Sequence, residues 1–509
     1  MPAASRRLII AAIIALLVVS AGLRVWHLQR PADYMFDEVY YAKDAKAIVD
    51  GRVGPSAKKS SWEPGDEVSW PHAEAGKLAI ALGILVAGDG PLGWRLAPAV
   101  AGMVLLGCVY PIARRLGLPA PWALLALLLA ATDPLNLVQS RIATLDVFVA
   151  LWTTLCVLFA LRAAQGERRA LWLPLCGLAG GLALATKWSG ALALVAAAAI
   201  LVLGRGEAGD AAPDDGESPP AGRPLALAVL FAGLCLVVLP LSVYLLSYAQ
   251  YFWSGHTWSD WLEMQRQMWH FNLTLSAPHS YASRPITWIA DYRPVWYSFV
   301  DKGGMYEGVV GMGNPFLWWT AMAALVAMPI ARLGRGRSDG ALLTAIIVAI
   351  LYLPWMAASR TSFLFYMAPV APMLAVLVAH ALRLLAEADA GPRGERRPWR
   401  PPAFVAAGFV LAAFFWYPIG RVCQAVLGDL TGRLGDPVAF TVAAMAAIFA
   451  AVALVLLLVR TRRAGVRSAV SLLWAGAIAG IFVAFLPILV AHPMAPEDFY
   501  RLIWFPSWI

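Results

Sequence analysis

Apolar runs of about 17–25 residues recur along nearly all of the chain, each long enough to cross a bilayer as an α-helix. A chain built this way has one main solvent, lipid, and must satisfy its backbone hydrogen bonds inside each spanning segment. Composition agrees: of 509 residues, 60% are hydrophobic and 14% charged, too little polar surface for a soluble protein of this length. Thirteen runs are visible, near 8–25, 94–112, 119–133, 146–161, 171–186, 189–204, 224–248, 316–331, 339–356, 363–382, 402–417, 438–459 and 468–491. The runs at 119–133 and 171–186 are short. Losing both leaves the orientation of everything downstream unchanged, so the expected fold is an all-α polytopic membrane protein with about 11–13 transmembrane helices.

Charge placement orients this array. With the N-terminus inside, the inner segments hold 21 of the 40 Lys and Arg in about 75 residues, and the outer segments 17 in about 190. That asymmetry has the sign of the positive-inside rule. It predicts a multi-pass cell-membrane protein with a cytoplasmic N-terminus and an external C-terminus. The net charge of +9 is thus explained at helix ends and does not point to nucleic acid. The segment MPAASRRLIIAAIIALLVVSAGL has the look of a signal peptide, but RVWHLQRP after it is no cleavage site, and a retained first helix is expected. The five cysteines show no paired spacing, and neither a disulfide framework nor a thiolate metal site is predicted.

Two outer segments are large, 26–93 and 249–315. The inner segment 205–223 is rich in Pro, Gly and acid, and a Pro/Arg-rich link at 391–402 sets off the last spans. The expected organisation is a catalytic membrane module over 1–390 and C-terminal membrane helices over 391–509. No internal repeat supports an inverted-repeat transporter.

Chemistry-bearing residues gather at the outer ends of the runs. YMFDEVYYAKDAKAI follows the first run, with Asp37 and Glu38 among Tyr34, Phe36, Tyr40 and Tyr41. Two loop acids are commonly solvated surface. Partial burial close to a bilayer would instead raise a carboxylate pKa and suit a general base. SWPHAEAGKLAIALG carries His72, Glu74 and Lys77, either an interfacial anchor or donors to a lipid phosphate. In DPLNLVQSRIATLDVFVALW, Arg141 and Asp146 stand at the entrance of a span, as a pair closing the helix end or as a functional site. Lys187 in LATKWSGAL occupies a comparable outer turn.

FDEVYYAKDA, HAEAGK, SRIATLD and TKWSG, in this order, resemble the protein O-mannosyltransferase family. HSYASRPITW with RPVWY, GNPFLWW, SRTSFLFYMAPVAPML and a terminal WFPSW extend the resemblance over nearly the full length. It implies a GT-C-type fold and inverting transfer of mannose from a polyprenyl-phosphate lipid donor to Ser or Thr hydroxyls of exported proteins, met during translocation. Carried over, Asp37 would be the base, and Glu38 would orient it or contact the acceptor. Arg141 and Lys187 would face the donor phosphate, and His72, Lys77, Asp146, His279, Arg284 and Arg360 would complete the substrate site. A phosphate leaves as a stable anion, so no cofactor is required; the acids leave room for a divalent cation that nothing demands. HAEAGK lacks the two prolines of the family's HPP-type segment, and the outer segment 249–315 is too short for the soluble domain that eukaryotic members insert there. A cell-envelope lipid or glycan acceptor is the alternative within the same fold, with transport a more distant one. Asn272-Leu-Thr274 matches a glycosylation sequon, and 249–272 reads as an aromatic, helix-like stretch suited to a membrane surface or to an acceptor.

Overall fold

A computed structural model describes residues 3–52, 68–204, 225–332, 339–387 and 464–509. The runs expected at 402–417 and 438–459, the segments 205–223 and 391–402, and the boundary at 390/391 lie wholly or mostly outside the described residues. Every other run is helical. The helices are α1 (Ala3–Val25), α2 (Glu38–Val49), α3 (Ala75–Ala87), α4 (Pro91–Arg115), α5 (Ala120–Ala131), α6 (Pro134–Gln139), α7 (Asp146–Ala164), α8 (Arg169–Thr186) and α9 (Ala191–Leu203). They continue as α10 (Leu225–Gly233), α11 (Leu239–Ser247), α12 (Ala249–Trp253), α13 (Trp258–Thr274), α14 (Pro315–Arg332), α15 (Gly340–Tyr352), α16 (Ala371–Ala386), α17 (Ala464–Phe485) and α18 (Pro496–Leu502).

Among the described residues, seven helical stretches are long and apolar enough to cross a membrane, and five shorter apolar helices accompany them. The protein is a multi-pass membrane protein. Its centre is α7, packed against α4, α8 and α9, while α16 packs on α5 and α14. Lipid-facing helices show their apolar side chains outward: Leu8, Ile14 and Val18 on α1, and Leu227, Leu230, Leu241 and Leu246 along α10 and α11. A π-helical turn, Leu234–Val238, joins α10 to α11.

Three elements differ from expectation for identifiable reasons. The 119–133 run yields only the twelve-residue α5, because Asp133 caps the next helix by accepting from the Asn136 N–H and Pro134 starts it. In the 363–382 run, Pro369 and Pro372 lack the N–H that a helix interior needs. Regular helix therefore begins only at Ala371, after a short 3-10 turn over Leu364–Met367. The 249–315 segment holds the only strands among the described residues, a β-hairpin of β1 (Val295–Lys302) antiparallel to β2 (Met305–Gly311). Its two-residue turn, Gly303-Gly304, has φ of +63° and +88°, which glycine adopts without steric cost.

Within 26–93, α2 and α3 pack on one another, and α3 packs on α4. Asp44 of α2 accepts from Ser69 N–H (3.0 Å) and Ser69 Oγ (2.7 Å), tying α2 to the stretch that leads into α3.

Candidate active site

The helix start at Asp37 is unusual in one respect. An Asp at this position ordinarily spends its carboxylate capping the helix; here no side-chain cap is made, although the Asp37 carbonyl accepts from the Tyr40 and Tyr41 N–H groups. Phe36, immediately before it, is held at φ +46°, a left-handed conformation costly for a large side chain. Its ring is fixed by Tyr297, Phe365, His279 and Phe363, with centroids 5.3–6.2 Å away. The backbone is thus bent so that Asp37 projects from the helix end rather than folding back on it. Asp37 is half-buried. Desolvation, chiefly, and then Asp146 push its carboxyl up to about 7, while Lys187 acts in the other direction.

Glu38 is completely buried, and four donors take its oxygens. Arg95 Nε and Nη2 each donate at 2.8 Å, as do the backbone N–H groups of Met35 and Ala143. Four donors fill the four lone-pair positions of a carboxylate. The geometry suits orientation of the neighbouring Asp37 and leaves no lone pair for an acceptor hydroxyl. Arg95, itself fully buried, also donates to the carbonyls of Leu28, Pro31 and Asp33. It joins the end of α1, the start of α2 and the first turn of α4. Sequence reasoning missed Arg95, although a charged residue at the mouth of an apolar run is the same signal that singled out Arg141 and Asp146.

Arg141 and Asp146 do not pair with each other. Arg141 Nη1 caps α1 through the carbonyls of Leu23 (2.6 Å), Arg24 (3.1 Å) and Trp26 (2.9 Å). Asp146 instead binds Lys187 Nζ at 3.0 and 3.2 Å. The Lys187 ammonium also lies 4.6 Å from the centroid of the Tyr366 ring. Two glycines make this meeting possible. A Cβ on Gly76 would lie 2.6 Å from Leu145 Cδ2 and 3.0 Å from Thr186 Cγ2, so glycine lets the HAEAGK segment close on the residues preceding Asp146 and Lys187 without displacing those side chains. A Cβ on Gly190 would strike the Ala183 carbonyl at 2.2 Å, so the turn carrying Lys187 needs glycine as well.

Lys77 departs from its expected place at a phosphate. It is fully buried, donating to Glu74 Oε1 and the Ser69 carbonyl at 2.7 Å each, with Asp44 at 3.8 Å. Its charge serves to close the 26–93 segment. His72 is half-buried near Tyr41. Burial, followed by the charges of Lys187, Arg360 and Lys77, holds its imidazole well below its usual pKa and therefore neutral at pH 7. Arg360 bonds Asn272 Oδ1. His279 is exposed against Phe36 and Phe363. Arg284 is exposed at the head of the turn Pro285–Thr287, where its carbonyl accepts from the Thr287 N–H and hydroxyl.

The structure therefore gathers Asp37, His72, Asp146, Lys187 and Arg360 around one mouth, with His279 reaching it through Phe36. A cavity of about 10 Å³, the size of a single water, adjoins Asp146, with Ser189 and Tyr366 at its polar side and Leu192, Leu351 and Trp355 among its apolar walls. Among the described residues, no group of three or more His, Cys, Asp or Glu is placed to hold a metal ion. The arrangement offers a poised carboxylate and fixed positive charge.

Comparison with known proteins gives a consistent result. The family model described as dolichyl-phosphate-mannose-protein mannosyltransferase matches residues 72–209, and that for the C-terminal four-transmembrane region of protein O-mannosyltransferase matches 257–422. The polyprenol-phosphate-mannose–protein mannosyltransferase of Corynebacterium glutamicum is 26% identical over 68% of this chain and 76% of its own length. That of Mycolicibacterium smegmatis (strain MKD8) is 28% identical over 79% of this chain and 87% of its own. Among solved structures, the S. cerevisiae protein O-mannosyltransferase Pmt1-Pmt2 complex bound to the sugar donor aligns with a TM-score of 0.67 at 13% identity, covering 98% of this chain and 92% of that one. ArnT from Cupriavidus metallidurans bound to undecaprenyl phosphate aligns at 0.52 and 17% identity, covering 97% and 78%. The likeness to these two structures establishes the GT-C-type fold.

Proposed function

We propose that this chain, which belongs to the protein O-mannosyltransferase family, moves mannose from a polyprenyl-phosphate lipid to Ser or Thr hydroxyls of exported proteins. The observation that carries the chemistry is Asp37: a carboxylate unspent on its helix, half-open at the mouth and poised near neutral pH. A base with a pKa near the working pH combines adequate ionisation with useful basicity.

The reaction follows from the parts. The acceptor hydroxyl oxygen attacks the anomeric carbon from the face opposite the phosphate, while its proton passes to Asp37. A new C–O bond forms as the sugar–phosphate C–O bond breaks, so configuration inverts. The bonding pair leaves with the polyprenyl phosphate, which departs as an anion and needs no proton. Fixed cations favour the charge that develops on that oxygen. Lys187 and Arg360 are assigned this task. Arg141 and Lys77, enclosed by protein oxygens, are assigned to the frame. Neutral His72 can donate one hydrogen bond and accept another without adding charge.

The charge asymmetry of the sequence supports placing this mouth on the external face of the cell membrane, with the N-terminus cytoplasmic, where acceptors emerge during translocation. The test is transfer of labelled mannose from synthetic polyprenyl-phosphate-mannose to a Ser/Thr-rich peptide, run beside a glycolipid acceptor. Labelled peptide is the expected product. Label on the glycolipid alone, with donor bound by folded protein, would overturn the protein acceptor.

A further inference from the structure

Resting on the donor-site reading above, we infer that Asn272, near the C-terminal end of α13, is a positioning residue that holds Arg360 at the rim of that site. The sequence marks Asn272 only as the first residue of a sequon. In the fold its amide joins three separate segments. Oδ1 accepts from Arg360 Nη1, while Nδ2 donates to the Met268 carbonyl at 2.9 Å and faces the Pro71 carbonyl at 3.4 Å. An amide is suited to this place because it presents an acceptor to the guanidinium and donors to two carbonyls.

The surroundings show why a bridge matters here. Pro71 precedes His72, so Asn272 couples the helix to the HAEAGK segment. Phe271 packs against Trp70 (5.4 Å) and Trp269 against Trp188 (6.0 Å), which places the same helix end on the residue after Lys187. Downstream, Thr361 N–H donates to the Leu275 carbonyl, Thr361 Oγ1 to the Ala277 carbonyl and Ser283 N–H to the Ser362 carbonyl, each at 2.8–2.9 Å. The backbone beside Arg360 is therefore stitched to the chain leaving α13. Asn272 fixes the long side chain that this stitching leaves free to swing. Half-buried Arg360 acts electrostatically on both His72 and Tyr366, and Tyr366 lies beneath the Lys187 ammonium. Arg360 and Lys187 thus flank one opening, and among the described residues only Lys187 of the two has a carboxylate partner, Asp146. Arg360 has a neutral amide, which orients a guanidinium without cancelling its charge. That difference suits a cation whose task is to meet a phosphate.

The test is a double-variant cycle on the full chain in lipid nanodiscs. It follows saturable binding of synthetic polyprenyl-phosphate-mannose together with the KM of donor and peptide. Asn272→Leu is expected to weaken donor binding and raise donor KM about tenfold, the scale of one charge-assisted hydrogen bond, with peptide KM unchanged. Asn272→Leu combined with Arg360→Gln should be no worse than Arg360→Gln alone, because Asn272 acts through Arg360. Asn272→Gln keeps a neutral amide oxygen for the guanidinium and should recover most of the donor affinity, which covers the case in which the Leu variant fails to fold. Donor binding unchanged in both Asn272 variants, or losses that simply add in the double variant, would overturn the inference while leaving the proposed function intact. Failure of the wild-type chain to bind donor would overturn the donor site and this assignment with it.

Discussion

The closed knot around Glu38 and the open mouth around Asp37 are built from adjacent residues and differ in almost every physical respect. Glu38 has no exposed surface, a bidentate arginine and two backbone donors. Asp37 keeps part of its surface, makes no cap and is raised to about 7. The knot binds its carboxylate so completely that it can hold α1, α2 and α4 in register but cannot exchange a proton with a substrate. The mouth leaves its carboxylate under-satisfied, which costs stability and creates a base. Neighbouring acids of one chemical type are divided into frame and reagent by the donors that reach them. Lysines divide in the same way: Lys77 is enclosed by Glu74, Asp44 and a carbonyl, whereas Lys187 has Asp146 on one side and the Tyr366 ring on another.

The sharpest way to break this contrast is to strip the knot. Arg95→Ala would leave the Glu38 carboxylate buried without its fork, a loss on the order of 3–5 kcal/mol for a broken buried pair. Denaturant or thermal unfolding in detergent should show that loss, and an unfolding curve matching wild type would refute the division. Next comes pH. A base that works ionised and titrates near 7 predicts that kcat/KM falls about tenfold per pH unit below that value and levels above it. A pH profile of mannose transfer that stays flat from 5 to 8 would remove Asp37 from the reagent side.

A smaller effect concerns stability. The folded-state value near 7 lies above the ordinary 3.8, so between them the folded chain keeps a proton that the unfolded chain releases. The stabilisation is complete below the lower value and is lost as pH rises through the upper one. Asp37→Asn cannot ionise, so it should melt a few degrees higher than wild type at pH 8, with the gap closing toward pH 4. Thermal melts at both pH values check the sign. Smallest is Lys46→Ala at the exposed pairs with Asp50 and Asp89, which solvent screens, so the same unfolding assay should show little or no change. A loss as large as that of Arg95→Ala would show that burial is not what separates frame from surface.

Much of this was legible before any coordinates. Period and length of the apolar runs specify membrane helices because a lipid solvent leaves the backbone few alternatives. The motifs located Asp37, Lys187, His72 and Arg360 at one end of the bundle. What stayed hidden was pairing. Spacing puts Arg141 five residues from Asp146 and cannot reveal that Arg141 turns back to the carbonyls of α1 while Asp146 crosses to Lys187. The Glu38–Arg95 fork joins residues far apart in sequence, and periodicity carries no information on such contacts. The hairpin had a readable signal, Gly303-Gly304 between two runs rich in Val and aromatic residues, which the apolar pattern of the rest of the chain overshadowed.

The most direct test compares mannose transfer by Asp37→Asn and Glu38→Gln with wild type, each rate normalised to folded, donor-binding protein. The division into reagent and frame predicts that Asp37→Asn folds and binds donor but transfers roughly 100- to 10,000-fold more slowly, the range for a lost general base. Glu38→Gln should chiefly lose stability, with its folded fraction still active. Full-rate transfer by Asp37→Asn would contradict the assignment at its centre.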